Sequence, residues 1–200
     1  MPRVELRVPF SEKEEARRRG ARWDAEQKTW YVPEGVERTG FEQWLPAPQS
    51  PNIRAPGWSL IGSQRECRRC VRVSRVFAIL LPAGHEALQV EDDPADDYWE
   101  RGEDVALLSY VNDVPDSIAA QLHLHAPRYR IDFSQTTHSF YWMNHCEHCA
   151  AKLGDFETLQ ESGTFYDLNA GPNDHKFTFT SLHPVTTPFS AHCSGYATIE

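Results

Sequence analysis

The larger part of this chain is organised by the stretch SFYWMNHCEHC, residues 139–149, in which an aromatic strand pattern runs directly into a Cys-x-x-Cys turn. A second turn of the same kind, CRRC, occupies residues 67–70. A Cys-x-x-Cys turn places two thiolates on one side of a tight bend, and two such turns complete a tetrahedral Zn²⁺ site. The sequence therefore predicts one closed, structural zinc site with the ligands Cys67, Cys70, Cys146 and Cys149.

The spacing of the two turns leaves alternatives open. Between Cys70 and Cys146 lie 75 residues, so the site would clip together the two ends of an inserted region of sheet and helix. His145 and His148 flank the second pair, and a set of three cysteines and one histidine is an alternative ligand set. Two unrelated thiol pairs are another alternative, because neither turn has the glycine often found after its second cysteine.

The composition is that of a folded protein, with 200 residues, 40% of them hydrophobic and 24% charged. No apolar run approaches the ~20 residues that span a bilayer, and the N-terminus lacks the pattern of a secretory signal. We therefore expect a cytoplasmic protein with no membrane partner. Five cysteines in a reducing compartment favour metal binding over disulfides.

Charge is distributed unevenly along the chain. Residues 1–75 have a net charge of +5, and residues 76–200 have a net charge of −14. The overall charge of −9 argues against nucleic-acid binding over the whole surface, whereas the basic first third leaves room for a local phosphate-binding surface.

Sequence patterns divide the chain into two domains. Residues 1–46 predict a small, aromatic-rich domain of β-α-β-β-α order, residues 47–56 a proline-rich linker, and residues 57–200 a zinc-binding domain. Within the larger domain, apolar patterns predict these elements: strands at 71–81 and 105–111, a helix at 115–124, and one more strand at 177–179. The expected fold class is α+β, with the small domain followed by a zinc-ribbon-containing, mainly antiparallel β domain with one or two helices.

Arginines and aromatic rings are interleaved in the small domain. Guanidinium groups beside exposed rings suit a single-stranded nucleic acid, whose phosphates pair with the charges and whose bases stack on the rings. The alternative is that the tryptophans form the core and the arginines form a solvated helix face. The candidate nucleic-acid-binding residues are Arg17, Arg18, Arg19, Arg22 and Lys28 for phosphate, and Trp30 or Tyr31 for stacking.

Residues 6–35, LRVPFSEKEEARRRGARWDAEQKTWYVPEG, resemble a small bacterial domain of unknown function. That domain is found appended to plasmid-transfer DNA primases of the TraC type and to other mobile-element proteins. The shared pattern is a valine-proline start, a Lys-x-x-Ala helix, Gly-Ala-x-Trp-Asp, and Lys-x-Trp-Tyr-x-Pro. The resemblance implies a DNA-processing context but no known activity, and it offers no catalytic residues.

The larger domain resembles, more loosely, bacterial zinc-ribbon proteins in which a strand ending in Trp-x-Asn leads into Cys-x-x-Cys and then Gly-Asp-Phe. These motifs stand here at Trp142, Asn144, Cys146, Cys149 and residues 154–156. This resemblance implies a structural zinc ion.

Together these observations favour a non-enzymatic bacterial zinc protein, a nucleic-acid-associated adaptor in mobile-element or plasmid DNA processing. The expected partner is single-stranded DNA or a DNA-processing protein, and no small-molecule substrate is identified. One alternative is a protein–protein interaction module whose acidic second domain binds its partner. A second is an enzyme with an unrecognised site, although no catalytic motif is found; its acid–base residues would be Asp113, Asp116, His123, His125 and Asp132.

Overall fold

The structure is a computed structural model that describes residues 4–25, 29–37, 39–45, 49–137, 139–159, 164–165, 181–185 and 187–199. Lys28 and the strand predicted at residues 177–179 lie outside these residues. The chain forms two compact units, residues 1–48 and 49–200. Where it is described, it is mostly antiparallel β-sheet with few helices, and none of those helices is long and apolar enough to cross a membrane.

The N-terminal unit is a three-stranded antiparallel sheet with one short α-helix. Its elements are β1 (Val4–Leu6), α1 (Lys13–Arg18), β2 (Arg22–Asp24), β3 (Thr29–Val32), and 3-10 turns at Phe10–Glu12 and Glu42–Trp44. Strand β3 lies between β1 and β2. The apolar residues of β3 alternate with polar ones, so that one face of the sheet packs on α1. The core of this unit consists of Leu6, Ala16, Ala21, Trp30, Val32, Phe41 and Trp44.

The last helix predicted for this unit is a single 3-10 turn, Glu42–Trp44, and not an α-helix. Gly40 has a φ of +90°, which interrupts any helical path before the turn. Pro46 follows in the sequence and disfavours the helical conformation for the residue before it. The space between these two residues is too short for more than one turn.

The larger unit contains one eight-stranded and one three-stranded antiparallel sheet. Its strands are β4 (Ile53–Ala55), β5 (Trp58–Glu66), β6 (Val73–Leu81), β7 (Glu86–Gln89), β8 (Tyr98–Arg101), β9 (Val105–Asp113), β10 (Tyr129–Ser134), β11 (Ser139–His145), β12 (Lys152–Leu153), β13 (Ser181–Val185) and β14 (Phe189–Ile199). Its helices are α2 (Asp116–His125), α3 (Asp155–Leu159) and a 3-10 turn at Pro94–Asp96. The strand orders are β13-β5-β6-β9-β14-β4-β7-β8 and β10-β11-β12.

Part of the segment predicted as linker is a strand of the large sheet. Ile53 and Ala55 are buried, and β4 pairs with both β14 and β7. Pro51 and Pro56 flank this strand without entering it, so that they interrupt none of its hydrogen bonds. The proline-rich composition therefore did not prevent strand formation. The strands predicted at 71–81 and 105–111 and the helix at 115–124 correspond to β6, β9 and α2, with ends shifted by one or two residues.

The large sheet is buried on both faces where β5 and β6 pair. Leu60 packs in the main core with Trp142, whereas its neighbour Ile61 packs in a second core that contains Cys67 and Cys146. Successive residues of a strand point to opposite faces, which explains this division. The second core therefore joins the cysteine turns to the sheet.

Candidate metal centre

Four cysteine side chains converge where two β-hairpins turn. The first knuckle, residues 67–70, joins β5 to β6, and the second knuckle, residues 146–149, joins β11 to β12. The four Sγ atoms, here called the cysteine quartet, all lie within 4.8 Å of one another. They belong to Cys67, Cys70, Cys146 and Cys149.

The sulfur separations fit one metal ion better than disulfide bonds. Cys67 Sγ and Cys149 Sγ are 3.7 Å apart, and Cys70 Sγ and Cys146 Sγ are 3.6 Å apart. Four sulfurs placed at 2.3 Å from one Zn²⁺ in a tetrahedron are separated by about 3.8 Å. A disulfide requires about 2.05 Å, and all four thiols are free. The quartet could therefore hold a metal ion.

The two knuckles share one backbone conformation. In each, the first cysteine donates its N–H to the carbonyl five residues later and accepts an N–H from the residue after the second cysteine, at 2.8 to 3.0 Å. That residue is Val71 in one knuckle and Ala150 in the other, with φ values of 57° and 54°. Glycine is often found there because this left-handed conformation costs other residues about 1–2 kcal/mol. The absent glycine therefore adds strain but does not change the turn.

Histidine does not replace a cysteine in this arrangement. His145 Nε2 lies 2.9 Å from Asp132 Oδ2, and its Nδ1 lies 3.1 Å from the carbonyl oxygen of Met143. His148 Nε2 lies 2.8 Å from the carbonyl oxygen of Val73. Among the described residues, the quartet is the only group of three or more histidine, cysteine or acidic side chains close enough to share an ion. The geometry favours the four-cysteine ligand set.

Two of the thiols differ strongly in acidity. Burial opposes ionisation of Cys146, but the backbone N–H groups of Cys149 and His148 and the neighbouring thiols lower its pKa to about 6. The backbone N–H of Arg72 favours the thiolate of Cys70, yet desolvation and hydrogen bonds to the other thiols raise its pKa to about 12. A bound cation would remove this difference, because metal ligands must be deprotonated thiolates.

Glu147, in the middle of the second knuckle, binds β6 through hydrogen bonds. Glu147 receives two hydrogen bonds from Arg75, one from the backbone N–H at 3.1 Å and one from Nε at 2.8 Å. The backbone N–H of Glu147 donates to Ser74 Oγ at 3.0 Å. The two knuckles are therefore aligned by polar contacts that do not involve sulfur.

Asn144 forms a second, buried link between the two sheets. Its Oδ1 accepts the backbone N–H of Phe77 at 2.7 Å, and its Nδ2 donates to the carbonyl oxygen of Phe77 at 2.8 Å. Strand β6 pairs with β9 only at Leu80 and Leu81, so Phe77 has no neighbouring strand on that side. The amide of Asn144 takes the place of the missing strand. Asn144 belongs to the Trp-x-Asn motif of the sequence, but nothing in the sequence indicates that its partner is Phe77.

The first knuckle is linked to α3 by charge. Arg65 donates to the carbonyl oxygen of Glu157 at 2.8 Å and forms an ion pair with its carboxylate at 3.1 Å. Arg68 forms an ion pair with the same carboxylate. These contacts, like those of Asn144, join residues far apart in the sequence, so spacing could not reveal them.

Three of the five residues proposed for an alternative enzyme have these contacts in the fold. Although burial raises the pKa of Asp132, hydrogen bonds from His145 and Lys152 lower it to about 2. The ring of His123 packs on Trp142 at 5.2 Å. Asp113 accepts the backbone N–H of Gln49. In the described part of the chain, no three of the five form a group that could hold a metal ion.

The aromatic residues of the N-terminal unit have different exposures. Trp30 is 8% exposed and belongs to the core, whereas Trp23 is 48% exposed. The two rings lie 5.6 Å apart, and the guanidinium of Arg17 lies 5.8 Å from the ring centre of Trp30. Trp23, which is not among the residues predicted for stacking, is therefore the more exposed of these two rings.

The predicted nucleic-acid-binding residues do not form a single surface. Trp23 pairs directly with Trp30 across the sheet, and Arg22 pairs with Tyr31 in the next position. Paired residues point to the same face and adjacent positions to opposite faces. Arg22 and Tyr31 thus lie on the face away from the core, while Arg17 and Arg18 belong to α1 on the core side and Arg19 follows directly after this helix.

Arg19 is held within the domain. One of its nitrogens donates to the carbonyl oxygen of Gly40, and another forms an ion pair with Glu15. Its guanidinium also lies 5.3 Å from the ring centre of Trp44. These contacts give Arg19 a structural role. Arg17 and Arg18 are exposed, and each has a longer contact of 3.4 Å with Glu14.

The basic excess of the first third does not lie in the N-terminal unit. Residues 1–48 contain nine Lys/Arg and nine Asp/Glu, so this unit has no net charge. Residues 49–75 contain six arginines and one glutamate. Five of these six arginines lie between residues 65 and 75, from the end of β5 through the first knuckle to the start of β6.

Comparison with known proteins identifies the N-terminal unit. Residues 3–46 match a family model described as a domain of unknown function, DUF5710. The chain carries a DUF5710 domain at its N-terminus. Its sequence is 50% identical over 42 residues to a DNA primase TraC of Escherichia coli, and 49% identical over 39 residues to another protein of that name from the same organism.

These similarities are confined to the DUF5710 domain. The two alignments cover 21% and 20% of this chain but only 4% and 3% of the primases. No solved structure matches the chain. The zinc-ribbon resemblance of the larger unit stays a prediction.

Outside the metal centre, a buried carboxyl group begins α3. Asp155 is 1% exposed, and its Oδ2 accepts the backbone N–H of Tyr110 at 2.6 Å. Burial raises the pKa of this carboxyl to about 7, although the hydrogen bond from Tyr110 opposes the rise. The other titratable groups that interact with it are the phenols of Tyr110, Tyr129 and Tyr141.

Asp155→Asn is expected to change how stability depends on pH. In the unfolded chain this carboxyl has a pKa of about 3.9, so between about pH 4 and pH 7 the folded protein binds one proton more. Its contribution is therefore complete below pH 4 and is lost as pH rises through 7, at about 1.4 kcal/mol per pH unit. In urea unfolding, the variant should exceed the wild type by about 1.5 kcal/mol at pH 5 and by up to about 4 kcal/mol at pH 8. An equal difference at both pH values would contradict this.

Proposed function

We propose that this chain is a non-enzymatic zinc protein of a DNA-processing system, in which a structural Zn²⁺ held by the cysteine quartet stabilises the larger unit. The observation that carries this proposal is the approach of four sulfurs to within 4.8 Å of one another. Four thiolates form a closed tetrahedral set and leave no position for substrate or activated water. The bound ion would supply folding free energy rather than catalysis.

Elemental analysis tests the metal part of this proposal. Protein purified without a chelator should contain about one zinc ion per chain. The absence of a stoichiometric metal would overturn it. Iron in place of zinc would also do so, because tetrahedral four-cysteine sites bind either element.

We further propose that the DUF5710 domain binds single-stranded DNA. Support comes from its similarity to segments of two DNA primases, from the exposed ring of Trp23, and from the guanidinium of Arg17 over the neighbouring ring of Trp30. Stacking of one base on an exposed aromatic ring is worth about 1–3 kcal/mol, and neighbouring guanidinium groups pair with phosphate. Arg22 and Tyr31 would contact a strand that passes around the edge strand β2, and Lys28 stays a phosphate contact predicted from the sequence.

Trp23→Ala should weaken binding to a labelled single-stranded oligonucleotide about tenfold, as measured by fluorescence anisotropy at low salt. Because Trp23 is half-exposed, the substitution should leave the fold intact. Tyr98→Ala is the matched control, since Tyr98 is 51% exposed and lies in the larger unit. Equal affinities for the two variants would show that the DUF5710 domain does not use this ring.

A further inference from the structure

We infer that the tip of the first knuckle is a second nucleic-acid contact surface, which binds phosphate through Arg69 and Arg72. The inference rests on the proposed function for the class of ligand, but it assigns binding to a different unit of the chain. Arg69, Val71, Arg72 and Val73 define this surface, called the knuckle tip. All four residues are exposed.

Positive charge is concentrated at this end of the β5–β6 hairpin. The larger unit as a whole is acidic, with 20 Asp/Glu against 11 Lys/Arg. Five of those 11 cations lie between residues 65 and 75, where only one acidic residue occurs. A local excess of this kind on an acidic protein creates a positive potential at one place and directs anionic ligands to it.

Three of these five arginines are used within the fold. Arg65 and Arg68 pair with Glu157, and Arg75 pairs with Glu147. The other two, Arg69 and Arg72, form no side-chain hydrogen bond or ion pair with any of the residues that the structure describes. Their charges are therefore available to an external ligand.

Apolar side chains separate the two available cations. Val71 is 68% exposed and Val73 is 55% exposed, which is unusual for β-branched residues next to a metal-binding turn. Between two phosphate-binding groups, such side chains offer a surface for sugars and bases. Arginine and valine alternate over the four exposed positions 69, 71, 72 and 73, on either side of the half-buried Cys70.

The knuckle tip is held rigidly. The quartet joins it to the second knuckle, and the Glu157 and Glu147 ion pairs fix the strands on either side. A preorganised contact loses less conformational entropy on binding than a flexible arginine tail would. The planar guanidinium also matches the oxygens of a phosphate better than a lysine would. Rigid, unpaired arginines at a narrow hairpin end favour a nucleic-acid backbone as the ligand.

Salt-dependent binding by the full chain, loaded with zinc, tests this inference. The double variant Arg69→Ala with Arg72→Ala removes both unpaired cations. The matched control, Arg54→Ala with Arg101→Ala, removes the same charge from strands β4 and β8 at the other part of the large sheet. Both variants should retain one zinc ion per chain, because none of the four arginines is a ligand.

For single strands, each phosphate contact contributes about 0.7 to the slope of log affinity against log salt concentration. The Arg69/Arg72 variant should therefore lose about 1.4 of this slope, and the control should keep the wild-type slope. An unchanged slope in the Arg69/Arg72 variant would overturn this inference. It would not affect the proposal for the DUF5710 domain, which the Trp23→Ala variant tests separately. Equal losses in both double variants would overturn the inference too, because they would indicate a general charge effect.

The competing ligand class is an acidic protein. Poly-glutamate is added as a competitor at the same total charge as unlabelled DNA. This experiment distinguishes a nucleic acid from an acidic protein as the ligand. If poly-glutamate displaces the oligonucleotide no better than added salt does, the surface recognises nucleic acid. If it displaces the oligonucleotide as efficiently as unlabelled DNA, the assignment to nucleic acid is overturned in favour of an acidic partner.

Discussion

Cys146→Ser is expected to abolish zinc binding and the cooperative unfolding of the larger unit. Cys146 is fully buried and lies in the second core, and its sulfur is 3.6 Å from that of Cys70. Loss of one thiolate leaves three ligands and a hydroxyl group, which is a poor ligand for Zn²⁺. Binding free energies of structural zinc sites are about 10–16 kcal/mol, comparable to the entire stability of a domain.

Elemental analysis and thermal unfolding followed by circular dichroism measure this result. The variant should contain little zinc, and chelation of the wild type should reproduce its unfolding profile. Cys193→Ser is the control, because Cys193 lies in β14 and takes no part in the quartet. It is buried, so a serine there should cost about 1–2 kcal/mol, but the metal content should stay complete. A Cys146→Ser variant that keeps one zinc ion and unfolds cooperatively would refute a structural metal.

Asn144→Ala should lower the free energy of unfolding by about 4 kcal/mol without removing a metal ligand. The substitution leaves both the N–H and the carbonyl oxygen of Phe77 buried without partners. Each buried polar group left unsatisfied costs about 1–3 kcal/mol. Because Asn144 is 1% exposed, water cannot easily replace its amide. This expected loss is among the larger effects of a single substitution.

Asn52→Ala supplies a matched comparison for this prediction. The amide of Asn52 also bonds both backbone groups of one residue, Cys193, at 2.9 and 2.7 Å. Asn52 is only partly buried, so water can restore some of the lost hydrogen bonds, and we expect a cost of about 1–2 kcal/mol. Chemical denaturation of the two variants gives the comparison. A smaller loss for Asn144→Ala than for Asn52→Ala would show that Asn144 is not the link between the sheets.

Local spacing was sufficient to identify the candidate metal ligands. Two residues between cysteines define a turn, and the structure brings both turns together as a group that could hold a metal ion. The choice between cysteine and histidine needed the structure, because His145 and His148 are adjacent to a ligand in sequence but bond to Asp132 and to the carbonyl of Val73. A residue next to a ligand in the sequence can point its side chain away from the metal centre.

The N-terminal unit shows which features the sequence patterns could predict and which they could not. The linear motif was sufficient to recognise the domain, because the motif is continuous and specific. The separate roles of Trp23 and Trp30 were not readable, since both occupy strands with similar neighbours. Strand β3 is central and β2 is an edge strand, so equal residue types receive different burial.

The sequence by itself determined two things about this protein: the identity of four candidate ligands and the presence of a DUF5710 domain. Both are local, because a turn or a motif is encoded within a few consecutive residues. The tertiary structure alone decided that Asn144 completes β6, that Glu157 and Glu147 form ion pairs with three arginines, and that Arg69 and Arg72 have no ion-pair partner among the described residues. These features depend on contacts between residues 67 to 92 positions apart, and burial and pairing of charge are settled only when such segments meet.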